Sequence, residues 1–329
     1  MSSTCTRRQS MMKVLLPSDG SQDSMEAARF VAELAAVNEL DIHVVTVSEP
    51  HPGFSDSVSQ HWMSEWASKE NKRVDRLHGE LMTVLSGVCS NVSMSRRHGP
   101  IVDSLLDEID ETQADLIVVG ARGHSMIRRV LLGSTSESLA TYADCSVVIV
   151  RRREEPQQDN ATTRPMRRIM VAYDQSKGSR ESVDEVLKYR WPDPIEFNVV
   201  SVAEWPFPFE ESESEDPADG ESKELQHVRC AAERLATRIA GTAPNTTTQV
   251  LQARHAGEAI VSEADREQVD LVVVGDSGHR LEAAQSDFKQ PQDSEKVAAI
   301  TQGRPMLGST TRYLMRHSHC SVWISRGRQ

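Results

Sequence analysis

Short apolar runs alternate with longer amphipathic stretches along most of the chain. A short continuous apolar run is typical of a strand buried on both faces, whereas apolar residues spaced by three and four are typical of a helix packed on one side. In the first half this pattern predicts strands over 14–16, 42–47, 92–95, 116–119 and 147–150, with helices over 25–34, 61–85, 101–109 and 134–142. Strands and helices therefore alternate, as in α/β proteins.

The second half repeats this order. Strands are predicted over 169–172, 196–202, 247–251, 271–274 and 322–324, and helices over 179–188, 225–239, 259–266 and 309–315. Continuous apolar strands joined through helices favour a parallel sheet that is covered on both faces and has right-handed crossovers. The predicted fold class is therefore α/β, with two tandem doubly wound parallel-sheet domains of about five strands each and flanking helices.

A direct comparison of the two halves reveals an internal repeat whose spacing changes once. Gly120 matches Gly275, which lies 155 residues later, whereas Gly133 matches Gly308, which lies 175 residues later. The second copy therefore carries 20 additional residues in the loop that follows its fourth strand. Any function of that loop is expected to differ between the copies.

Composition marks the segments between and around the copies. Residues 151–165 are charged and polar and contain prolines, which indicates a linker. The predicted division is a disordered tail at 1–11, a first domain at 12–152, a linker at 153–166 and a second domain at 167–329. Within the second domain we expect an acidic loop at 204–224 and an inserted loop at about 281–304.

The chain is acidic, with a formal net charge of -12. Residues 204–224 hold nine acidic residues and one lysine, which indicates a solvated loop or, as the alternative, a docking segment for a basic partner. This charge argues against nucleic acid as a general partner. No apolar run approaches the roughly 18–20 residues that cross a bilayer, so we expect a cytoplasmic protein with no membrane partner.

The five cysteines form no Cys-x-x-Cys pair, which disfavours a zinc site or a redox motif. Cys145 and Cys320 each precede the last strand of a copy. We interpret these two as repeated, buried small apolar residues rather than as a disulfide.

The most informative motif is a glycine loop after the fourth strand of the first copy: Gly120-x-x-Gly123, nine residues, then Gly133-Ser134-Thr135. Glycines let the backbone turn and approach a ligand closely. Ser134 and Thr135 open a helix, whose free N–H groups and dipole attract an anion. The loop is neither a Walker loop nor a GxGxxG dinucleotide motif. The cations suited to neutralise phosphate charge are Arg122, His124, Arg128 and Arg129.

Asp19 follows the first strand and is positioned to reach the same crevice. Its carboxylate is suited to accept a hydrogen bond from a ribose hydroxyl or to help hold a metal ion. The alternative, which is compatible with either role, is that Asp19 caps the following helix. For the glycine loop, the alternative is a tight strand-to-helix turn without a ligand.

The spacing Gly-x2-Gly-x9-Gly-Ser, with an Asp after the first strand and a Cys before the last, resembles the universal stress protein family. The resemblance covers almost the whole chain twice and implies a Rossmann-like fold of the adenine nucleotide alpha hydrolase type. In the nucleotide-binding, UspA-like branch it implies that the motif holds ATP, with or without Mg²⁺. The implied binding residues are Asp19, Val47, Gly120, Gly123, Gly133, Ser134 and Thr135, to which the charge argument adds Arg122.

The matching positions of the second copy are Asp174, Val202, Gly275, Gly278, Gly308, Ser309 and Thr310. The nine-residue spacer has grown to 29 residues, and Asp276 and Ser277 replace Ala121 and Arg122. A carboxylate beside a phosphate costs on the order of 1–4 kcal/mol in a partly dry site. We therefore expect ATP mainly in the first domain.

The expected function is an ATP-binding, regulatory stress-response protein with little or no turnover, since the resemblance implies that ATP is a bound regulatory ligand. No catalytic base with an orienting partner stands out in the sequence. We expect His98 and His255, which each precede a turn into a helix, to serve the fold. The alternatives are a nucleotide-free interaction scaffold and a slow ATP hydrolase.

The short apolar last strands, 147–150 and 322–324, are predicted edge strands that invite pairing. Family members pair these strands about a two-fold axis, which implies an intramolecular pseudo-dimer in a tandem chain. A homodimer of whole chains and an unidentified protein partner stay open.

Overall fold

The computed structural model describes residues 11–49, 60–89, 91–123, 132–152, 165–204, 223–276 and 307–327. The predicted tail, linker, acidic loop and inserted loop lie almost entirely outside the described residues, as do Cys5 and Gly278. Each strand and helix that the apolar pattern predicts is present in the described ranges, with ends that differ by a few residues.

The first half contains five strands and four helices in the described residues. The strands are β1 (Met12–Pro17), β2 (Leu40–Ser48), β3 (Asn91–His98), β4 (Leu116–Gly120) and β5 (Ser146–Val150). The helices are α1 (Gln22–Ala35), α2 (Gln60–Leu85), α3 (Ile101–Thr112) and α4 (Ser134–Tyr142).

The second half repeats this set within its described residues. Its strands are β6 (Arg168–Ala172), β7 (Glu196–Glu204), β8 (Thr246–Ala253), β9 (Leu271–Gly275) and β10 (Ser321–Ser325). Its helices are α5 (Lys177–Val186), α6 (Lys223–Ala240), α7 (Ala256–Arg266) and α8 (Ser309–His317).

All ten strands form one sheet in the order β3-β2-β1-β4-β5-β10-β9-β6-β7-β8. Strand pairs within each half are parallel, whereas β5 and β10 pair antiparallel where the halves meet. The α/β class and the two doubly wound, mostly parallel units are therefore confirmed.

Both faces of the sheet are buried, which explains why the strands are continuously apolar rather than alternating. In β1, Leu15 belongs to one apolar cluster and Leu16 to the other. The cluster around Leu16 is covered by α1, α2, α5 and α6, and that around Leu15 by α3, α4, α7 and α8. Because each cluster extends through both halves, the two copies share their hydrophobic core.

Helices α1 and α5 begin at equivalent serines. The N-cap Ser21 accepts a hydrogen bond from the Ser24 backbone N–H at 3.2 Å, and Ser176 accepts one from Ser179 at 3.1 Å. Such a cap satisfies an N–H group that the helix itself leaves unpaired. The start of this helix is therefore the same in both halves.

Each half extends a buried arginine into the other half at their junction. Arg151, which follows β5, donates to the Met315 carbonyl at the end of α8 at 2.6 Å. Arg326, which follows β10, donates to the Ala143 carbonyl just beyond α4 at 2.7 Å. Each half thereby satisfies carbonyl groups at the end of a helix in the other half.

The cysteine interpretation is confirmed for Cys145, which is buried and is not disulfide-bonded. Cys320 is free and half-buried, and burial of its thiol raises the pKa of Cys320 to about 12. Cys89 and Cys230 are also free. Within the described ranges, no helix is both long and apolar enough to cross a membrane.

Candidate functional site

The candidate site of the first half lies at the carboxyl ends of β1 and β4. These strands are neighbours, but the chain leaves β1 toward β2 on one side and leaves β4 toward β5 on the other. The connections therefore diverge between β1 and β4, which creates the crevice where ligands of such sheets bind. Asp19 follows β1 and the glycine loop follows β4, so the fold brings together the two segments that the sequence analysis selected.

Gly120 lies against the first turn of α1. A Cβ atom added there would lie 2.7 Å from the carbonyl oxygen of Asp23 and 2.7 Å from the backbone nitrogen of Ser24. Only glycine allows this close approach between the end of β4 and the helix. Gly120 therefore has a packing role that does not depend on a ligand.

Gly123 lies directly beside Asp19. A Cβ atom at Gly123 would lie 2.8 Å from Oδ2 of the Asp19 carboxylate, whose Oδ1 accepts a hydrogen bond from the Ser21 N–H at 2.8 Å. Since Ser21 is the N-cap of α1, the alternative that Asp19 is the cap is wrong: its carboxylate supports the cap residue and extends toward the glycine loop.

The loop returns to α4 through two hydrogen bonds. The Gly133 N–H donates to the Ala121 carbonyl at 2.7 Å, and the Ser136 hydroxyl donates to the Gly120 carbonyl at 2.7 Å. Gly133 is the N-cap and makes no side-chain cap bond. Ser134 is exposed and Thr135 is half-buried, so both hydroxyls stand at the first turn of α4, where the helix dipole favours an anion.

Arg122 is held by Asp23 in the first turn of α1. The Arg122 Nε atom donates to Asp23 Oδ2 at 2.9 Å, and the buried Asp23 side chain is 7% exposed. The Arg122 charge is therefore offset within the protein, and contact between Arg122 and a phosphate stays a prediction. His124, Arg128 and Arg129 lie outside the described residues.

Helix α2 contributes two site residues that the sequence analysis missed. The Glu70 carboxylate accepts hydrogen bonds from Arg73 Nε at 2.9 Å and from the Ser48 hydroxyl at 2.7 Å. Ser48 follows Val47, the half-buried residue at the end of β2 that the resemblance implies in adenine contact. Polar residues on an amphipathic helix indicate only a solvent-facing side. The position of β2 beside this helix cannot be read from the sequence. The i,i+3 spacing of Glu70 and Arg73 was therefore the sequence feature available for identifying the pair.

The same arginine reaches the end of β1. Arg73 Nη1 donates to the Asp19 backbone carbonyl at 3.1 Å. The hydrogen bond from Arg73 lowers the pKa of Glu70, and the hydrogen bond to Glu70 raises the pKa of Arg73. Both groups therefore stay charged around neutral pH.

The second half keeps the same loop anchors. The Gly308 N–H donates to the Asp276 carbonyl at 2.7 Å, and the Thr311 hydroxyl donates to the Gly275 carbonyl at 2.7 Å. A Cβ atom at Gly275 would lie 2.6 Å from the carbonyl oxygen of Gly178. The insertion therefore leaves both ends of the loop in the geometry found in the first half.

The remaining positions predicted in the second half are placed as follows. Asp174 is exposed and accepts a hydrogen bond from the Ser176 N–H at 3.0 Å, Val202 and Thr310 are half-buried, and Ser309 is exposed. Gly278 and Ser277 lie outside the described residues.

The carboxylate of Asp276 is directed toward the junction of the halves. Its Oδ2 atom lies 4.0 Å from Nε of Arg326. Part of its charge is thereby offset, so the repulsion of phosphate expected from the sequence is reduced. Among the described residues, no group of three or more His, Cys, Asp or Glu side chains is arranged to hold a metal ion.

These features define a class: a protein of two Rossmann-like α/β units, each with a glycine-rich loop held between the fourth strand and the following helix. The Universal stress protein family model matches residues 11–151 and 165–326. The chain therefore belongs to the universal stress protein family.

Individual relatives are similar to one copy or to both. A universal stress protein of Methanocaldococcus jannaschii is 28% identical over 146 residues, which is 43% of this chain and 82% of that protein. The crystal structure of one from Archaeoglobus fulgidus covers 96% of this chain and 98% of its own with a TM-score of 0.61 at 19% identity, a likeness of fold. A universal stress protein in complex with cAMP covers 42% of this chain and 95% of its own, with a TM-score of 0.32 and 25% identity.

Proposed function

We propose that the first half binds ATP as a regulatory ligand, with little or no turnover. The observation that carries this proposal is that the Asp19 carboxylate lies directly beside Gly123. A carboxylate suited to accept hydrogen bonds from ribose hydroxyls is therefore next to a loop whose far end opens α4. One crevice thus offers an acceptor for sugar hydroxyls and N–H donors for phosphate, the two polar demands of a nucleotide.

The phosphate end of the proposed site is the start of α4. Ser134 and Thr135 offer hydroxyl groups there, and the two anchoring bonds from Gly133 and Ser136 hold the helix start in place before a ligand arrives. A preformed donor array loses little entropy on binding. This supports the glycine loop as a binding element as well as a turn.

A regulatory role is favoured over catalysis because, in the described part of the loop region, Arg122 and one oxygen of Asp19 already have partners within the protein. Asp19 Oδ1 accepts a hydrogen bond from the Ser21 N–H, and Arg122 is paired with Asp23. Phosphoryl transfer needs groups that orient water and stabilise the transferring charge. We therefore propose that bound ATP changes the surface offered to a partner.

We further propose that the second half acts mainly as the partner half of an intramolecular pseudo-dimer. The antiparallel pairing of β5 with β10 and the exchanged arginines Arg151 and Arg326 support this role. Weak or absent nucleotide binding there is consistent with the longer loop and with the exposed Asp174.

The proposal is tested by mass spectrometry of ligand released from the purified full chain, followed by calorimetric titration with ATP, ADP, AMP and cAMP. Gly123→Ala is the informative variant because its Cβ would displace the Asp19 carboxylate, and we expect ATP affinity to fall roughly tenfold. Gly79→Ala is the matched control, since a Cβ at Gly79 meets nothing within 4 Å.

One bound ATP per chain, with an affinity that falls roughly tenfold in Gly123→Ala and is unchanged in Gly79→Ala, is the expected result. Two equivalent ATP molecules would contradict the assignment of the second half. No released nucleotide and no heat of binding would favour the nucleotide-free scaffold, and turnover that disappears in Asp19→Asn would favour the hydrolase.

A further inference from the structure

Two hydrogen-bonded contacts join α2 to the ends of β1 and β2 in the first half, and a third contact lies within α2. Arg73 Nη1 donates to the Asp19 carbonyl at 3.1 Å, Arg73 donates through Nε and Nη2 to Glu70 at 2.9 and 2.7 Å, and the Ser48 hydroxyl donates to Glu70 at 2.7 Å. We call Ser48, Glu70 and Arg73 the α2 clamp. The clamp links the two strand ends that, under the proposed function, hold the nucleoside part of ATP.

The geometry of the clamp fixes the direction of the Arg73 guanidinium. Two of its nitrogen atoms donate to the two oxygen atoms of Glu70, an arrangement that sets the plane of both groups. The remaining terminal nitrogen, Nη1, is thereby aimed at the Asp19 carbonyl. The side chains are 38% exposed for Arg73 and 18% for Glu70, so the pair lies at the edge of the crevice rather than in open solvent.

The second half keeps the fold but has different residues at two of the three clamp positions. The matching residue for Ser48 at the end of β7 is Ala203, which has no hydroxyl group. Helices α2 and α6 end in the same way, since Cys89 and Ala243 each donate from the backbone to the carbonyl four residues earlier. Counting back from these ends places His227, which is exposed, at the position of Arg73.

This difference separates the clamp from the fold. Helix α6 and strand β7 form without Ser48 or Arg73 at the matched positions, so neither residue is required to build this part of an α/β unit. The clamp occurs in the half whose phosphate loop has the family's spacing. A requirement of the ligand site therefore explains it better than a requirement of packing.

We propose that Glu70 and Arg73 are positioning residues that preorganise the nucleoside end of the ATP site; this inference rests on the proposed function. Arg73 holds the peptide that carries the Asp19 carboxylate, and Glu70 holds Ser48, the residue after Val47. Prior fixation of these two segments lowers the ordering cost of binding ribose and base. The phosphate end is anchored by other hydrogen bonds, from Gly133 and Ser136.

The test compares three probes on the full chain: ATP, adenosine and inorganic tripolyphosphate, measured by calorimetry or by displacement of a fluorescent ATP analogue. In Arg73→Ala we expect affinity for ATP and for adenosine to fall by the same factor, roughly three- to tenfold, and affinity for tripolyphosphate to stay unchanged. Arg73→Lys is expected to recover little, because an ammonium group cannot form the two-pronged pair with Glu70.

The control is Arg76→Ala, one turn further along α2. Arg76 is 76% exposed and lies 4.0 Å from Glu80, so its removal takes away the same charge and leaves the clamp intact. Ser48→Ala, which introduces the residue found at the matching position of the second half, removes one bond of the clamp and is expected to give a smaller loss. Thermal unfolding monitors the fold of each variant.

The outcomes separate the two proposals. If the wild-type chain binds neither ATP nor adenosine, the proposed function fails and the inference fails with it. If the wild-type chain binds both and Arg73→Ala binds adenosine with unchanged affinity, the inference fails alone. An equal loss for tripolyphosphate would also overturn it, because Arg73 would then act on the whole site rather than on its nucleoside end.

Discussion

The two halves share a backbone frame and differ in the side chains that face the crevice. In both, a glycine at the end of the fourth strand packs on the first helix, and an N–H to carbonyl bond closes the loop, from Gly133 in one half and from Gly308 in the other. The first half adds the Arg122–Asp23 pair and the α2 clamp. In the second half Gly178 stands at the position of Asp23, and Ala203 at that of Ser48.

This comparison separates residues that make the fold from residues that serve a ligand. A motif glycine found in both halves with the same contacts is explained by packing, even where the family pattern implies a binding role. A charged pair beside the crevice in one half alone is not needed for the shared fold, and under the proposed function the pairs of the first half serve its ligand. The glycine motif therefore indicates the fold first, and the charges around it indicate the ligand.

The largest expected effect concerns the backbone frame that the two halves share, at the glycines that end β4 and β9. Gly120→Ala and Gly275→Ala each push a Cβ atom onto helix backbone that cannot yield cheaply. We expect each to lower the free energy of unfolding by about 3 kcal/mol, at the upper end of the usual cost of overpacking. Urea denaturation monitored by circular dichroism measures this. A large loss in Gly120→Ala with none in Gly275→Ala would mean that the frame is not shared.

The exchanged arginines come next. Arg326→Met and Arg151→Met each leave helix-end carbonyls unpaired in the opposite half, and we expect a cost of about 2 kcal/mol for each. Arg326→Met is expected to be the more costly, because it also removes the positive charge 4.0 Å from the Asp276 carboxylate. Thermal unfolding compares the two variants. Equal shifts in the unfolding temperature would show that the interaction between Arg326 and Asp276 adds nothing measurable to stability.

Much of the fold was predictable because short apolar runs and amphipathic stretches report burial directly. The repeat also located Asp19 and the glycine loop, which the structure places in contact. The partners of charged residues were not predictable. The pairing of Arg122 with Asp23, 99 residues away, depends on how β4 and α1 meet, which no local pattern encodes. The α2 clamp was missed for the same reason.

The cap of α1 shows a second limit of sequence reasoning. Asp19 and Ser21 are both good N-cap residues, and only the backbone distinguishes them, since Ser21 is extended and accepts from Ser24. The choice matters for function because the structure leaves the Asp19 carboxylate directed at Gly123. Where a residue suits two roles, the folded structure is needed to decide between them.

A smaller difference between the halves lies at their junction. Buried Glu185 accepts hydrogen bonds from Ser146 and Ser325, whereas Phe30 occupies the matching position of α1. Burial raises the pKa of Glu185 above its usual 4.5, so the folded chain holds this proton more tightly than the unfolded chain. The stabilising contribution is therefore present below pH 4.5 and is lost as the pH rises through the raised pKa.

Glu185→Gln removes this titration and keeps an oxygen acceptor for both serines. We expect it to stabilise the chain by about 1 kcal/mol at neutral pH and to flatten the fall in stability above pH 4.5. Urea denaturation across a pH series measures both effects, and Glu181→Gln, on the same helix, is the control. An unchanged pH profile would show that Glu185 does not set it.

The smallest expected effect tests whether Arg122 distinguishes the two halves. The second half has Ser277 at this position, so Arg122→Ser converts one half toward the other. If Asp23 already offsets the Arg122 charge, ATP affinity falls only about threefold, because a paired and partly exposed cation contributes little beyond its pair. Calorimetric titration of ATP measures this, with Arg76→Ala again as the control for lost charge.

A fall of about a hundredfold would instead mean that Arg122 leaves Asp23 for the phosphates, since such a loss exceeds what a paired surface cation supplies. In that case ATP binding breaks the Arg122–Asp23 pair. The second half, which has Gly178 at the position of Asp23, would then lack both the carboxylate and this ATP-dependent change.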